Sequence, residues 1–231
     1  MIADRVAAVR ERIARAAERA SRPPGDITLV GVSKTFPAES VRAAFASGVR
    51  HFGENRVQEA GAKIEALADL RSSGLQWHLI GHLQSNKGRK AASLFDVIQS
   101  VDSAALAERL ARAATESGRT LQVLVQVDLA GEAAKSGVPE AELPEALRGM
   151  RGLDGLRVTG LMALPPYLDA EEVRPYFRRL RVLRDEMAKE GLLDGNDLSM
   201  GMSHDFEAAV EEGATIVRVG TAIFGERTVA A

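Results

Sequence analysis

Ile2, Val6, Val9, Ile13, Ala16 and Ala20 recur every three or four residues, so the spacing predicts a helix over Ile2–Ala20 with one apolar face. The Ser-Arg-Pro-Pro-Gly stretch Ser21–Gly25 stops it. From there short apolar runs alternate with helical segments. The runs are Ile27–Val32, Val49–Gly53, Gln76–Ile80, Val97–Val101, Leu121–Leu129, Val158–Ala163, Asp197–Gly201 and Ile216–Phe224. The helical segments are Pro37–Ser47, Asn55–Leu70, Lys87–Leu94, a stretch to Ser117 capped by Asp102 or Ser103, Pro139–Met150, Asp169–Lys189 and Ser203–Glu212. Most of the runs are apolar on both faces, as strands of a buried parallel sheet are. Eight strand–helix units in about 200 residues predict an α/β fold, a small (β/α)8 TIM barrel. One domain over 1–231 follows, with 1–24 as an extra N-terminal helix packed on the barrel. A doubly wound open sheet would want a glycine-rich phosphate turn after the first strand. That position reads Gly31-Val32-Ser33-Lys34-Thr35, which lacks the spacing.

Composition removes several function classes. With 45% hydrophobic and 27% charged residues the chain has the make-up of an ordinary globular domain, not of a disordered or fibrous one. Thirty Lys and Arg face thirty-two Asp and Glu, so nothing favours broad binding to nucleic acid or anionic membrane. The absence of cysteine excludes disulfides, thiolate metal sites and cysteine nucleophiles. No apolar run approaches the length of a membrane span. Asp4, Glu11 and Glu18 in the first helix argue against a transit peptide, and the cytoplasm is the expected compartment.

In a barrel the chemistry collects where strands end. Lys34 closes the first strand, at the expected barrel mouth. A desolvated amine there can attack a carbonyl and form a Schiff base; a plain surface lysine is the equal alternative on position alone. Ser203 directly precedes a helical run and reads as its N-cap, an anion site at a helix start. Gly220 ends the eighth strand, where a backbone without Cβ can approach a ligand closely. The last two loops of a barrel frequently hold a phosphate. Arg218, two residues before Gly220, shares its face and lies deeper; spacing alone leans towards a structural ion pair. His78 and His82 have the spacing of metal ligands only on a helix, and they bracket a strand end, so no metal site is expected. The arginines from Arg178 to Arg184 read as the wet face of a long helix.

Leu29–Thr35, His51–Gln58, Trp77–Lys87, Gly160–Ala163, Leu198–Ser203 with Asp205, and Val217–Gly225 carry a resemblance across nearly the whole chain. On these segments the sequence resembles the pyridoxal phosphate homeostasis protein family, similar in fold to the barrel of alanine racemase. The resemblance implies a fold type III domain that binds pyridoxal 5′-phosphate. It implies that Lys34 holds the cofactor as a Schiff base, that Ser203, Gly220 and Thr221 bind its phosphate, and that Arg218 faces the pyridine nitrogen. Asn55, His82 and Met162 match residues lining the cofactor pocket. The loop after the fifth strand keeps Glu132, Lys135 and Gly137 of the family pattern, while Ala133 and Ala134 depart from it.

The implied role is to hold, buffer and deliver the cofactor, with apo-enzymes as recipients and little or no turnover. An arginine opposite the ring nitrogen disfavours its protonation and weakens the ring as an electron sink. Racemases of this fold add a second domain bearing a tyrosine acid/base, for which the barrel leaves no residues here; Tyr167 and Tyr176 are not obvious substitutes. A monomer is expected, since racemase dimers use that domain. A slow racemase and a Schiff-base aldolase without cofactor remain as alternatives.

Overall fold

The computed structural model describes residues 1–131 and 136–226. Glu132, Ala133, Ala134 and Lys135 of the loop singled out above lie outside the described residues.

Among the described residues, eight parallel strands close on themselves. They are β1 (Thr28–Val32), β2 (His51–Glu54), β3 (Gln76–Leu79), β4 (Val97–Val101), β5 (Leu121–Asp128), then β7 (Leu156–Met162), β8 (Asp197–Ser199) and β9 (Ile216–Val219). β1 pairs with both β2 and β9, and β4 with β5, so the sheet has no free edge between them. The predicted barrel is therefore present. The remaining strand, β6 (Val138–Pro139), adds two residues beside the end of β5.

The strands are apolar on both faces because each face meets a different core. Val30, Val97, Leu124, Met162 and Ile216 point inward and form the apolar part of the barrel interior. Their neighbours Leu29, Ile98, Val123, Leu161 and Val217 point outward, to the layer under the helices. That outer layer is built by α1 (Ile2–Arg19), α2 (Ala38–Ala46), α3 (Val57–Ala66), α4 (Gly88–Leu94), α5 (Ala104–Glu116), α6 (Leu143–Met150), α7 (Ala170–Lys189), α8 (Phe206–Glu211) and α9 (Thr221–Phe224). α1 buries Val6, Val9, Ile13, Ala16 and Ala17 and packs on α2, α8 and α9. No described helix is long and apolar enough to cross a membrane.

Several boundaries depart from the sequence pattern. The Pro139–Met150 segment becomes helical only at Leu143, because Val138 and Pro139 extend the sheet and Glu140–Glu142 form a single 3-10 turn. Ile216–Phe224 is a strand only to Val219; Gly220 breaks it, and Thr221–Phe224 form the turn α9. The helix expected from Ser203 starts at Phe206, with Asp205 in the capping position. Of the two caps offered for α5 it is Ser103 that acts, its Oγ accepting from Leu106 N at 3.3 Å.

The arginines of α7 are paired, as their neighbouring acids suggested. Arg174, Arg178 and Arg181 surround Glu212, whose side chain is only 8% exposed, at 3.5, 2.8 and 3.7 Å. Burial pushes this carboxyl up, but the hydrogen bond from Arg178 and the three positive charges outweigh it and hold the carboxyl below its ordinary value. Glu212→Gln is expected to lower stability by roughly 1–2 kcal/mol, discounted for the exposed arginines. Urea unfolding measures it; an unchanged midpoint would show that the cluster contributes nothing.

Candidate functional site

The carboxyl ends of the strands surround a cavity of about 530 Å³, a size that suits a small organic ligand. Six of the eight predicted site residues line it: Lys34, Asn55, Ser203, Arg218, Gly220 and Thr221.

Lys34 follows β1 and is half-buried. The chain around it is held firmly. Ser33 before it is buried, and its Oγ donates to Glu54 Oε1 at 2.7 Å. Lys63 Nζ donates to that same Oε1 at 2.6 Å and to Ser33 O at 2.7 Å. Thr35 after it has φ of 68°, a left-handed conformation that a β-branched residue rarely adopts. Such strain persists only where the surroundings over-determine it, and here it turns the chain immediately after the lysine. Phe36 then stacks on Phe224, ring centroids 5.1 Å apart.

On the opposite wall, the Gly220 and Ala222 amides donate to Ser203 Oγ at 3.2 and 3.4 Å. Ser203 is thus not a helix cap. Asp205 makes the turn instead, its Oδ1 accepting from Met202 N at 2.5 Å. Gly201 is required in this turn: its φ is 88°, and a Cβ would come within 2.5 Å of Ala209. Gly220 is different. A Cβ there would meet only Val32, at 3.5 Å, so the fold's own packing leaves room at that wall of the cavity.

Arg218 forms the floor and is 3% exposed. The structural ion pair expected from spacing gives way to neutral partners: Nη1 donates to Ser199 Oγ at 2.5 Å and Nη2 to Ala163 O at 2.9 Å. Burial lowers its pKa to about 10, against a raising influence from Asp205, so it stays charged at neutral pH.

Two predicted pocket residues lie elsewhere. Met162 is fully buried in the barrel interior with Val30 and Leu124, off the cavity wall. His82 sits on the rim, its Nδ1 2.9 Å from Ser136 Oγ and 3.3 Å from Asp102 Oδ2. His78 is separate from it, buried between Gln99 and His51. The cavity also takes residues that the sequence reading did not assign to it: Phe36, Ile80, Leu164, Tyr167 and His204. Tyr167 is 79% exposed and lies on the His204 ring, centroids 4.2 Å apart. His204 Nε2 is buried without a hydrogen bond, 3.3 Å from Asp205 Oδ2.

Fold and rim together define a (β/α)8 barrel whose chemistry gathers around a lysine closing the first strand. The family model of the alanine racemase N-terminal domain matches residues 5–228. More narrowly, the chain belongs to the pyridoxal phosphate homeostasis protein family. It is 47% identical to the member from Aquifex aeolicus, covering 97% of both chains, and 44% identical to that of Escherichia coli, covering 98% of this chain and 97% of the other. PipY of Synechococcus elongatus, solved with PLP bound, is 45% identical with a TM-score of 0.85, covering 97% of this chain and 100% of that one. Alanine racemase from Corynebacterium glutamicum gives a TM-score of 0.69 at 20% identity, covering 99% of this chain and 62% of the racemase. At that identity the likeness shows the barrel alone.

Proposed function

We propose that this chain holds pyridoxal 5′-phosphate at the rim cavity, covalently through Lys34, and keeps it for delivery to apo-enzymes in the cytoplasm with little or no turnover. The observation that carries this reading is one of convergence: Lys34, the Ser203 hydroxyl with the Gly220 amide that donates to it, and the buried Arg218 guanidinium border a single cavity. The residues fit the group. The space beside Gly220 and the amides that now meet Ser203 Oγ make a cradle for an anion. The family membership and PipY with its bound PLP support the same ligand.

When bound, pyridoxal phosphate supplies an aldehyde for an amine and a ring that withdraws electrons. Lys34 provides the amine. Ser203, Gly220 and Thr221 would hold the phosphate, and Asn55 lines the same cavity. Arg218, charged and unable to accept a proton, would oppose protonation of the ring nitrogen. Met162 packs the barrel interior and His82 stands on the outer rim, and neither lines the cavity. We read 1–231 as one such domain, a monomer, with 1–24 as the helix packed on it.

Uptake of pyridoxal phosphate, followed by absorbance and by borohydride fixation at Lys34, tests this. A protein that stays colourless in excess cofactor contradicts it and leaves the aldolase reading. Ser203→Ala is expected to weaken retention by about 0.5–1.5 kcal/mol, several-fold in Kd. Unchanged retention removes Ser203 from the cradle.

Tyr167 favours a second reading. The sequence offered no obvious second acid/base, yet the structure puts this phenol on the cavity wall. Steady inversion of an amino acid, dependent on both Lys34 and Tyr167, would make the protein a slow racemase instead of a carrier.

A further inference from the structure

A line of polar side chains crosses the barrel interior from the cavity floor to the opposite mouth. Arg218 Nη1 lies 2.5 Å from Ser199 Oγ, which lies 2.6 Å from Gln99 Oε1. Gln99 Nε2 is 2.9 Å from His78 Nδ1, and His78 Nε2 is 2.9 Å from His51 Nδ1. Ser199 ends β8, whereas His51 begins β2, so the line climbs the height of the barrel. Its first four members are buried, at most 3% exposed, and His51 is half-buried beside a second cavity at the lower mouth.

The direction of the line follows from its first member. Arginine has donors only, so Ser199 Oγ accepts, and the serine proton goes to Gln99 Oε1. The amide of Gln99 then donates to His78 Nδ1. His78 carries its proton on Nε2 and gives it to His51 Nδ1. Reversal would aim two donors at Ser199 and leave its own proton with no acceptor among the described contacts, which is costly where water is excluded.

We propose that Ser199, Gln99 and His78 are positioning residues for Arg218, a one-way hydrogen-bond chain that fixes the guanidinium in a single orientation at the cavity floor. No described ion pair holds Arg218 in place. Its orientation rests on Ser199 Oγ and Ala163 O, and the serine hydroxyl is oriented only as long as Gln99 accepts from it. This role rests on the cavity being the pyridoxal phosphate site.

Two measurements test it. Nitrogen-15 NMR of the cofactor-free protein reports histidine tautomers: His78 is expected neutral with its proton on Nε2, and a proton on Nδ1 overturns the chain's direction. In the loaded protein, Gln99→Leu and Ser199→Ala are expected to weaken cofactor binding about tenfold and to shift the absorbance of the bound cofactor. Gln99→Glu keeps the acceptor for Ser199 and should restore the wild-type absorbance, while switching His78 to the Nδ1–H tautomer. Variants that melt lower but leave the absorbance unchanged would make the chain structural only and overturn the proposal. If Gln99→Leu does not fold, Ser199→Ala and the wild-type tautomers decide. A wild-type protein that takes up no cofactor defeats the cavity reading, and the tautomer result still judges the chain.

Discussion

Lys34→Ala protein is expected to carry no cofactor after borohydride reduction, where the wild type carries it on the peptide containing Lys34. The reason is positional. β1 delivers this amine to the cavity, and the buried Ser33–Glu54–Lys63 group on one side and the left-handed Thr35 on the other fix where it stands. Among the described residues, no other lysine lines the cavity. The phosphate cradle and Arg218 remain in the variant, so binding persists without the covalent link, weaker by about a hundredfold or more, nearly 3 kcal/mol. The fold should survive, since Val30 and Val32 of β1 make the buried contacts and Lys34 is only half-buried. Mass spectrometry of the reduced peptides checks it. Fixation of cofactor elsewhere in the variant, at wild-type yield, would remove Lys34 from its role.

Stability is expected to fall as the pH drops below the ordinary histidine value. Burial, reinforced by the neighbouring His51, pushes His78 down to about 3. In the unfolded chain it titrates near 6.5, the ordinary histidine value. Between these values the unfolded state binds a proton that the folded state refuses. The stability contribution is therefore intact above 6.5 and is lost progressively as the pH falls towards 3, with a slope approaching about 1.4 kcal/mol per pH unit. His51, also lowered by burial although Asp96 opposes it, adds in the same sense. Urea unfolding between neutral pH and about pH 5 measures this before carboxylates contribute. His78→Asn, which keeps a donor and an acceptor but cannot titrate, should flatten the dependence. Equal slopes in both proteins would contradict the assignment.

The barrel was legible because its two signals are local. A four- to eight-residue apolar run followed by a helical period can be counted along the chain, and all eight barrel strands overlap the predicted runs. Where both signals are apolar, the period fails. Thr221–Phe224 continues the run of β9 without a polar break, and only Gly220 marks the change from strand to helix. At the site, Lys34, Arg218 and Gly220 were legible from strand ends and two-residue spacing. Ser203 was found for the wrong reason, since its hydroxyl serves the Gly220 and Ala222 amides across the loop instead of capping its own helix. The chain through Ser199, Gln99 and His78 was not legible. Its members come from three strands, and whether Gln99 meets Ser199 depends on closure of the barrel, which no single strand records. Tyr167 reaches the cavity from a loop, where no period fixes the direction of a side chain.

The central claim is that the cofactor is held in order to be passed on. It is tested most directly by mixing cofactor-loaded protein with an apo-enzyme that requires pyridoxal phosphate, against free cofactor at equal concentration. The account predicts that the recipient gains activity while the loaded protein loses bound cofactor one for one, and that Lys34→Ala protein behaves as free cofactor does. A loaded protein that keeps its cofactor while the recipient stays inactive, or that turns over amino acids steadily by itself, would contradict it.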